Sequence, residues 1–308
     1  MKNNVYRIDE IKKNNNSPKK KGKYFFYIFI LIIIFVIIFF TRDQIDIIEI
    51  RYGELYDDFK TEGLIIREEI TIDSPVAGEF RILHKEGDRV GYGKEIARIN
   101  NKTLYNHKPG IISFATDKLE EKITPDNVNN ISIKKYNQIK RNFHQNIEDD
   151  YINKNDFVYR IVNNHNMFLL IESSLDNSKR FHKEEEVFIQ PGNNSKRLIE
   201  AKIKDIFPEG DKALIFISLN RFVKDWLNLR RVDISLVKDI YRGIILPEKA
   251  IFEREGTSGV LLLSISGKYN FKEVEIDNKI KGKVVVSGLE PGDKVVANPE
   301  VIDYGKGG

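Results

Sequence analysis

The chain has 308 residues, 41% hydrophobic and 31% charged, with no cysteine. That is the balance of folding domains, long enough for two or three of them, and the missing cysteine excludes disulfides, thiolate metal sites and a cysteine nucleophile. The formal charge of +4 is unevenly placed: the first 23 residues hold eight cations against two acids, leaving 42 against 44 for the rest, so the excess suits anionic lipid headgroups rather than nucleic acid.

Residues 24–40, YFFYIFILIIIFVIIFF, carry no charge, proline or glycine. As a helix they would span roughly 25 Å, near the lower limit for a hydrocarbon core, which predicts a transmembrane helix. A cleaved signal peptide is the competing reading, but Phe39-Phe40-Thr41-Arg42 offers no small-x-small cleavage site. The cations before the segment place residues 1–23 in the cytoplasm. The expectation is a single-pass plasma-membrane protein whose bulk is extracytoplasmic.

Residues 41–68 read as strands, with Ile45, Ile47, Ile48 and Ile50 ahead of Gly53 and Leu64-Ile65-Ile66 after Gly63. Between Ser74 and Phe114 one strand-turn pattern is stated and then restarted. Gly78 punctuates its start, Gly87-Asp88 and Gly91-Tyr92-Gly93 supply tight turns, and Pro109-Gly110 opens the second statement. Glycine supplies the positive φ such turns often need, and the aspartate is expected to hydrogen-bond the backbone that follows it. Only Asn100 to Asn106 link the two statements.

Residues 118–150 are rich in Asn, Lys and Gln and read as an insertion of two short helices. Thr124-Pro125 is a helix start, and Ser132 starts a second helix in which Tyr136, Ile139 and Phe143 recur at spacings of three and four. The insertion either packs on the β unit it interrupts, the two-statement sandwich of 74–114 and 151–166, which is the slightly favoured reading, or presents a partner-facing surface. Strands resume at 156–162. The spacing of those from Met167 to Val237 is that of a small antiparallel barrel over 167–242. A third β module runs over 243–303, with Pro247 in its first strand and Gly288, Gly292 and Asp293 in its closing GLEPGDKVV; residues 304–308 are a flexible tail. The fold class is mainly β.

Three segments in order resemble the HlyD-type membrane fusion proteins, or periplasmic adaptors. GEFRILHKEGDRVGYGKEIARI is similar to the first half of the family's lipoyl-like barrel-sandwich, and HKPGIISF with YINKNDFVYRIV to the second, placing that domain at 69–117 and 151–166. GIILPEKAIF and VVVSGLEPGDKVVANP resemble its membrane-proximal β domain, to which 41–68 would add the first strands. The resemblance implies a non-catalytic adaptor, without cofactor, metal or nucleic acid, that partners an inner-membrane transporter of ABC or RND type and is capable of homo-oligomerising. Family members that reach an outer-membrane channel insert a long α-helical hairpin between the sandwich halves, whereas seven residues cannot build two helices. No docking to such a channel is expected of this short form.

Other chemistry is weakly signalled. Lys102 falls near the turn where lipoyl domains carry a modified lysine, but its flanks lack the recognition residues, and a solvated turn is the better reading. His182 and Glu186 would share a helix face as a metal pair, although a surface charge run explains them more simply. No G-x-S-x-G or phosphate loop occurs. Trp226 with Arg230 and Arg231 is a candidate exposed interface, since Trp and Arg are enriched in hot spots; core packing of Trp226 is the favoured reading. A cell-envelope scaffold linked to wall synthesis or division stands as the competing function, and an extracellular ligand sensor as a third.

Overall fold

The computed structural model describes residues 27–34, 44–139, 144–145, 151–192 and 197–302. These divide into a smaller unit, drawn from residues up to Ile50 with Leu246–Glu275 and those from Gly288 on, and a larger one, Arg51–Ile245 with Ile276–Ser287.

The larger unit is organised by a closed barrel of six antiparallel strands. Going round it, Glu186–Pro191 pairs with Ile199–Glu209, then come Lys212–Leu219, Met167–Ser174, Tyr52–Ile66 and Arg231–Pro247, which returns to Glu186–Pro191. Closure leaves no free edge within the ring. Ile65, Leu169, Ile171, Ile203, Ile215, Ile217 and Leu236 fill the interior with Trp226. Their chain neighbours Leu64, Ile66, Leu170, Leu214 and Phe216 point to the other face and are buried as well. Runs such as Met167–Ile171 and Ala213–Leu219 therefore lack strict alternation, because both faces of these strands are covered.

What covers the outer face is the insertion. Pro125–Asn130 is a 3-10 helix and Ile133–Gln138 an α-helix, started by Ser132, whose hydroxyl accepts the Lys135 N–H at 3.2 Å. Ile123, Val128, Ile131, Tyr136 and Ile139 form one apolar cluster with the outer barrel residues. The packing expected against the sandwich is corrected: the helices lie on the barrel, whose outward leucines, isoleucines and phenylalanine would otherwise face water. The positions expected in this insertion beyond 139, Phe143 among them, lie outside the described residues apart from His144–Gln145.

Between the first barrel strand and Met167–Ser174 the chain builds a sandwich of two four-stranded sheets. One orders Tyr151–Ile152, Gly78–Ile82, Glu95–Ile99 and Lys102–Tyr105; the other orders Glu69–Asp73, Phe157–Val162, Gly110–Ser113 and Arg89–Val90. Phe80, Val90, Ile96, Ile99, Ile112, Phe114, Val158 and Ile161 form its core.

The smaller unit is a five-stranded sheet in which Lys294–Val296 lies between Ile47–Glu49 and Thr257–Leu263, with Phe252–Arg254 and Tyr269–Glu273 beside the last. Asn298 fastens the incoming chain, accepting the Asp46 N–H at 2.8 Å and donating to the Gln44 carbonyl at 2.9 Å.

Two expected boundaries move. Residues 52–66 of the stretch 41–68 belong to the barrel, since they pair along nearly their whole length with Arg231–Pro247; only the part up to Ile50 stays with the smaller unit. Residues 276–287, expected in the module 243–303, join the larger unit, where Lys283–Ser287 extends the sheet beside Arg231–Pro247. Of the expected span 24–40, residues 27–34 are helical and exposed, and the remainder lies outside the described residues. Among the described residues no helix is long and apolar enough to cross a membrane.

Candidate functional site: a buried ionic junction

Three turns share one device. Asp88 accepts the Lys85 N–H at 2.8 Å, Asp156 the Asn153 N–H at 3.0 Å and Asp293 the Glu290 N–H at 3.1 Å. Each aspartate thus bonds the backbone three residues before it, which corrects the expected bond to the following backbone. Gly87, Gly93, Gly288 and Gly292 all have positive φ. Pro109 is exposed ahead of Gly110, which begins a strand, and Pro247 ends the long barrel strand ahead of the short turn Glu248–Ala250.

The link between the sandwich halves is a β-hairpin. Ile99 pairs with Lys102 across Asn100 and Asn101, and Lys102–Tyr105 returns along Glu95–Ile99 as the last strand of its sheet. Asn100 sits at φ 49°, a left-handed conformation that asparagine tolerates better than most residues. Its Oδ1 accepts the Glu79 N–H at 2.9 Å and its Nδ2 donates to the Ala77 carbonyl at 3.2 Å. This amide lies against Gly78, whose face has no room for a Cβ. The place of a projecting arm is closed by seven residues folded back on the sheet, and Lys102 is an exposed residue of that strand.

The densest chemistry lies where sandwich meets barrel. Arg67, Arg160 and Arg230 are each 0% exposed, beside the buried carboxylates of Glu69, Asp117 and Glu120. Three cations thus face three anions in a region closed to water. Glu69 is the hub: Oε1 lies 2.6 Å from Arg160 Nη1 and 3.1 Å from Arg67 Nη2, while Oε2 accepts from Arg230 Nη2 at 3.0 Å. Arg230 also grips Asp117 with two donors, Nε at 2.6 Å and Nη2 at 3.0 Å, the fork geometry that makes arginine the residue for buried ion pairs.

The same guanidiniums hold backbone. Arg67 donates to the carbonyls of Trp226, Leu227 and Leu229 at 2.9, 2.7 and 3.2 Å, and Arg160 donates to Leu227 at 2.8 Å. Asn228 accepts from Arg160 and from Ser113, and donates to Glu86 at 2.9 Å. Glu86, from the first glycine turn, accepts the Phe114 N–H through its other oxygen at 2.7 Å. The barrel segment 226–230 is thereby fixed into the sandwich.

Burial alone would push the Glu69 carboxyl up, but Arg67, Arg160 and Arg230 outweigh it and hold the group at about 2. Burial pushes the Arg67 guanidinium down to about 9, against the opposing pull of Glu69. Arg230 is driven above its ordinary value: burial lowers it, and Glu69 with Asp117 more than compensates.

Trp226, Arg230 and Arg231 do not form an exposed patch. Trp226 is 6% exposed within the barrel core and Arg230 belongs to the ionic cluster. Arg231 is buried under the insertion, pairing with Glu62 at 2.6 Å, donating to the carbonyls of Ile139 and Tyr136, and lying 4.4 Å from the Tyr136 ring centroid. Trp226 thus packs in the core, as favoured, and the exposed-interface reading of Arg230 and Arg231 is corrected because both guanidiniums are engaged by buried intramolecular partners. His182 and Glu186 share no helix; His182 lies in a loop and Glu186 begins a strand. Among the described residues no three His, Asp or Glu side chains converge as metal ligands.

Sequence reasoning missed Arg67, Glu69, Glu86, Asp117 and Arg160. A usable signal was present in Phe157–Val162, where an arginine interrupts an apolar strand buried on both faces; a charge there must have a buried partner.

The family models match in the order of the two modules. Residues 69–163 match the RND related, barrel-sandwich hybrid domain and residues 167–240 the RND related, beta-barrel domain, together more than half of the chain. The chain belongs to the membrane fusion proteins, the HlyD-type adaptor family. Among solved structures it is similar to ZneB from Cupriavidus metallidurans, at 10% identity and a TM-score of 0.34 over 83% of this chain and 93% of that one. MacA from Actinobacillus actinomycetemcomitans is similar at 12% identity and 0.36, over 82% and 99%. The membrane fusion protein Spr0693 from Streptococcus pneumoniae R6 follows at 11% and 0.34, over 57% and 98%. The family placement rests on the two domain matches. Among curated proteins no match is found.

Proposed function

We propose that the chain is a non-catalytic, membrane-anchored extracytoplasmic adaptor that binds an inner-membrane transporter of ABC or RND type and shapes its external exit path. The observation that carries the reading is the pair of family domains, contiguous and in order. The uninterrupted apolar segment 24–40 behind a basic tail supports a single-pass anchor with residues 1–23 in the cytoplasm. The hairpin at Asn100 and Asn101 supports an adaptor that does not reach an outer-membrane channel, because no arm leaves the sandwich there.

The test is crosslinking in the native cell followed by purification in detergent, paired with export assays on a deletion strain. Capture of a transporter and loss of export of one of its substrates are expected. Unchanged export together with localisation of the protein at sites of wall synthesis or division would replace the adaptor by an envelope scaffold.

A further inference from the structure

The chain passes between barrel and sandwich twice, through Arg67–Glu68 on the way out and residues 163–166 on the return. The two crossings lie side by side, since Ile66 pairs with Phe168. Two adjacent short connections are the geometry of a hinge, and interfaces between modules of one chain default to relative motion unless something opposes it.

Here two independent devices oppose it. At the crossings stands the ionic cluster, in which Glu69 and Arg160 of the sandwich meet Arg230 and the Leu227 carbonyl of the barrel, all out of water. Opening the junction would separate these charges before water could reach them, leaving each buried without its partner. The second device is the insertion. Its chain runs on from the sandwich strand Gly110–Ser113 into Ala115–Thr116, and His144–Gln145 pairs back onto that short strand in a two-stranded sheet beside the sandwich. Residues 119–139 lie across the outer face of the barrel.

The strap is fastened along its length. Ile133 N–H donates to Glu209 at 2.9 Å, Tyr136 Oη to the Glu62 carbonyl at 2.6 Å and Asn137 to Glu172 at 3.0 Å. Arg231 of the barrel holds the Ile139 carbonyl at 2.7 Å. Under it, Ile123, Val128, Ile131 and Tyr136 share an apolar cluster with Leu64, Leu170 and Phe216.

We infer that the insertion is an intramolecular strap which, with the Arg67–Glu69–Arg160–Arg230 cluster, locks sandwich and barrel into one rigid body with no working hinge between them. The inference does not depend on which transporter, if any, the protein serves.

Because the chain has no cysteine, two can be introduced without background. Lys102→Cys on the sandwich and Lys183→Cys on the barrel, both at exposed positions, take spin labels in the full chain in detergent or nanodiscs, and dipolar spectroscopy reads the distance distribution. A single narrow distribution is expected; a broad or two-peaked one in the otherwise unchanged protein overturns the inference by itself. Replacing 118–139 by a short Gly-Ser link is expected to widen or split the distribution, and an unchanged width would remove the strap from the account. If that variant does not fold, seen as a red shift of Trp226 emission, Tyr136→Ala and Glu69→Gln take its place. Unchanged widths in both would likewise overturn the lock.

Discussion

Arg230 of the barrel and Glu69 of the sandwich meet with 3.0 Å between Nη2 and Oε2, both side chains fully removed from solvent. The same carboxylate reaches Arg160 and Arg67 through its other oxygen. Removing it leaves three guanidiniums with less negative charge than their burial requires. Glu69→Gln is therefore expected to lower stability by about 3–5 kcal/mol, the usual cost of breaking a buried pair from one side. Trp226, the chain's single tryptophan, sits beside the cluster with its carbonyl bonded to Arg67. Its emission during urea unfolding of the detergent-solubilised chain supplies the measurement, and an unshifted midpoint would refute the hub role.

The pH dependence of that loss has a definite sign. Burial raises the Glu69 carboxyl, the three arginines lower it by more, and the result is about 2 against an ordinary 4.5. A carboxyl with a depressed folded value contributes stability that is fully present above the unfolded value and is lost as pH falls through the folded one. The gap in urea midpoint between the wild type and Glu69→Gln should therefore be widest above about pH 5 and shrink from pH 4.5 towards pH 2. Parallel curves across that window would assign the destabilisation to shape rather than charge.

The parts of the fold that were legible in the sequence were those written in local chemistry. Gly87-Asp88 and Gly292-Asp293 mark turns, Thr124-Pro125 and Ser132 mark helix starts, and the strands from Met167 to Val237 are apolar, β-branched runs. The ionic junction was not legible, because Arg67, Glu69, Asp117, Arg160 and Arg230 are brought together only by the tertiary fold, from positions up to 163 residues apart. Charged residues next to strand ends, such as Arg67, Glu69 and Arg230, read as solvated until their partners are known, and Arg160 inside its apolar strand signals a buried partner without saying which. The same limit hid the insertion's target. Ile123, Val128 and Tyr136 announce a buried face, but which surface buries it depends on Leu64, Leu170 and Phe216 facing outward from a barrel whose closure no local pattern records.

The hairpin at Asn100 and Asn101 should respond to substitution in two separable steps. Asn100→Gly keeps access to φ 49° but loses the bonds to Glu79 and Ala77, at a cost of about 1 kcal/mol. Asn100→Val loses those bonds and adds the penalty of a β-branched residue in the left-handed region, about 1–2 kcal/mol more. Urea midpoints in the order wild type, Asn100→Gly, Asn100→Val check the account. A Val variant as stable as the Gly variant would mean that the turn does not hold this conformation.

Two glycines of the sandwich motif make a matched pair. A Cβ on Gly110 would stand 2.5 Å from the Val162 carbonyl oxygen and 2.6 Å from Ile161 Cγ2, whereas one on Gly91 would meet nothing within 4 Å. The obstacle at Gly110 is mainly backbone of the neighbouring strand Phe157–Val162, to which Gly110–Ser113 is paired, so it cannot rotate away as a side chain could. Gly110→Ala should cost about 1–3 kcal/mol by overpacking. Gly91→Ala, at a position without positive φ, should be neutral or stabilise by about 0.4–1 kcal/mol through the unfolded chain. Val162 ends the strand that leads into the second crossing, so a shift there also strains the junction at Arg160 two residues earlier. Hydrogen exchange at 157–162 should therefore speed up in Gly110→Ala and stay unchanged in Gly91→Ala; equal exchange in both variants would show that the second half of the sandwich tolerates a side chain where the glycine now sits.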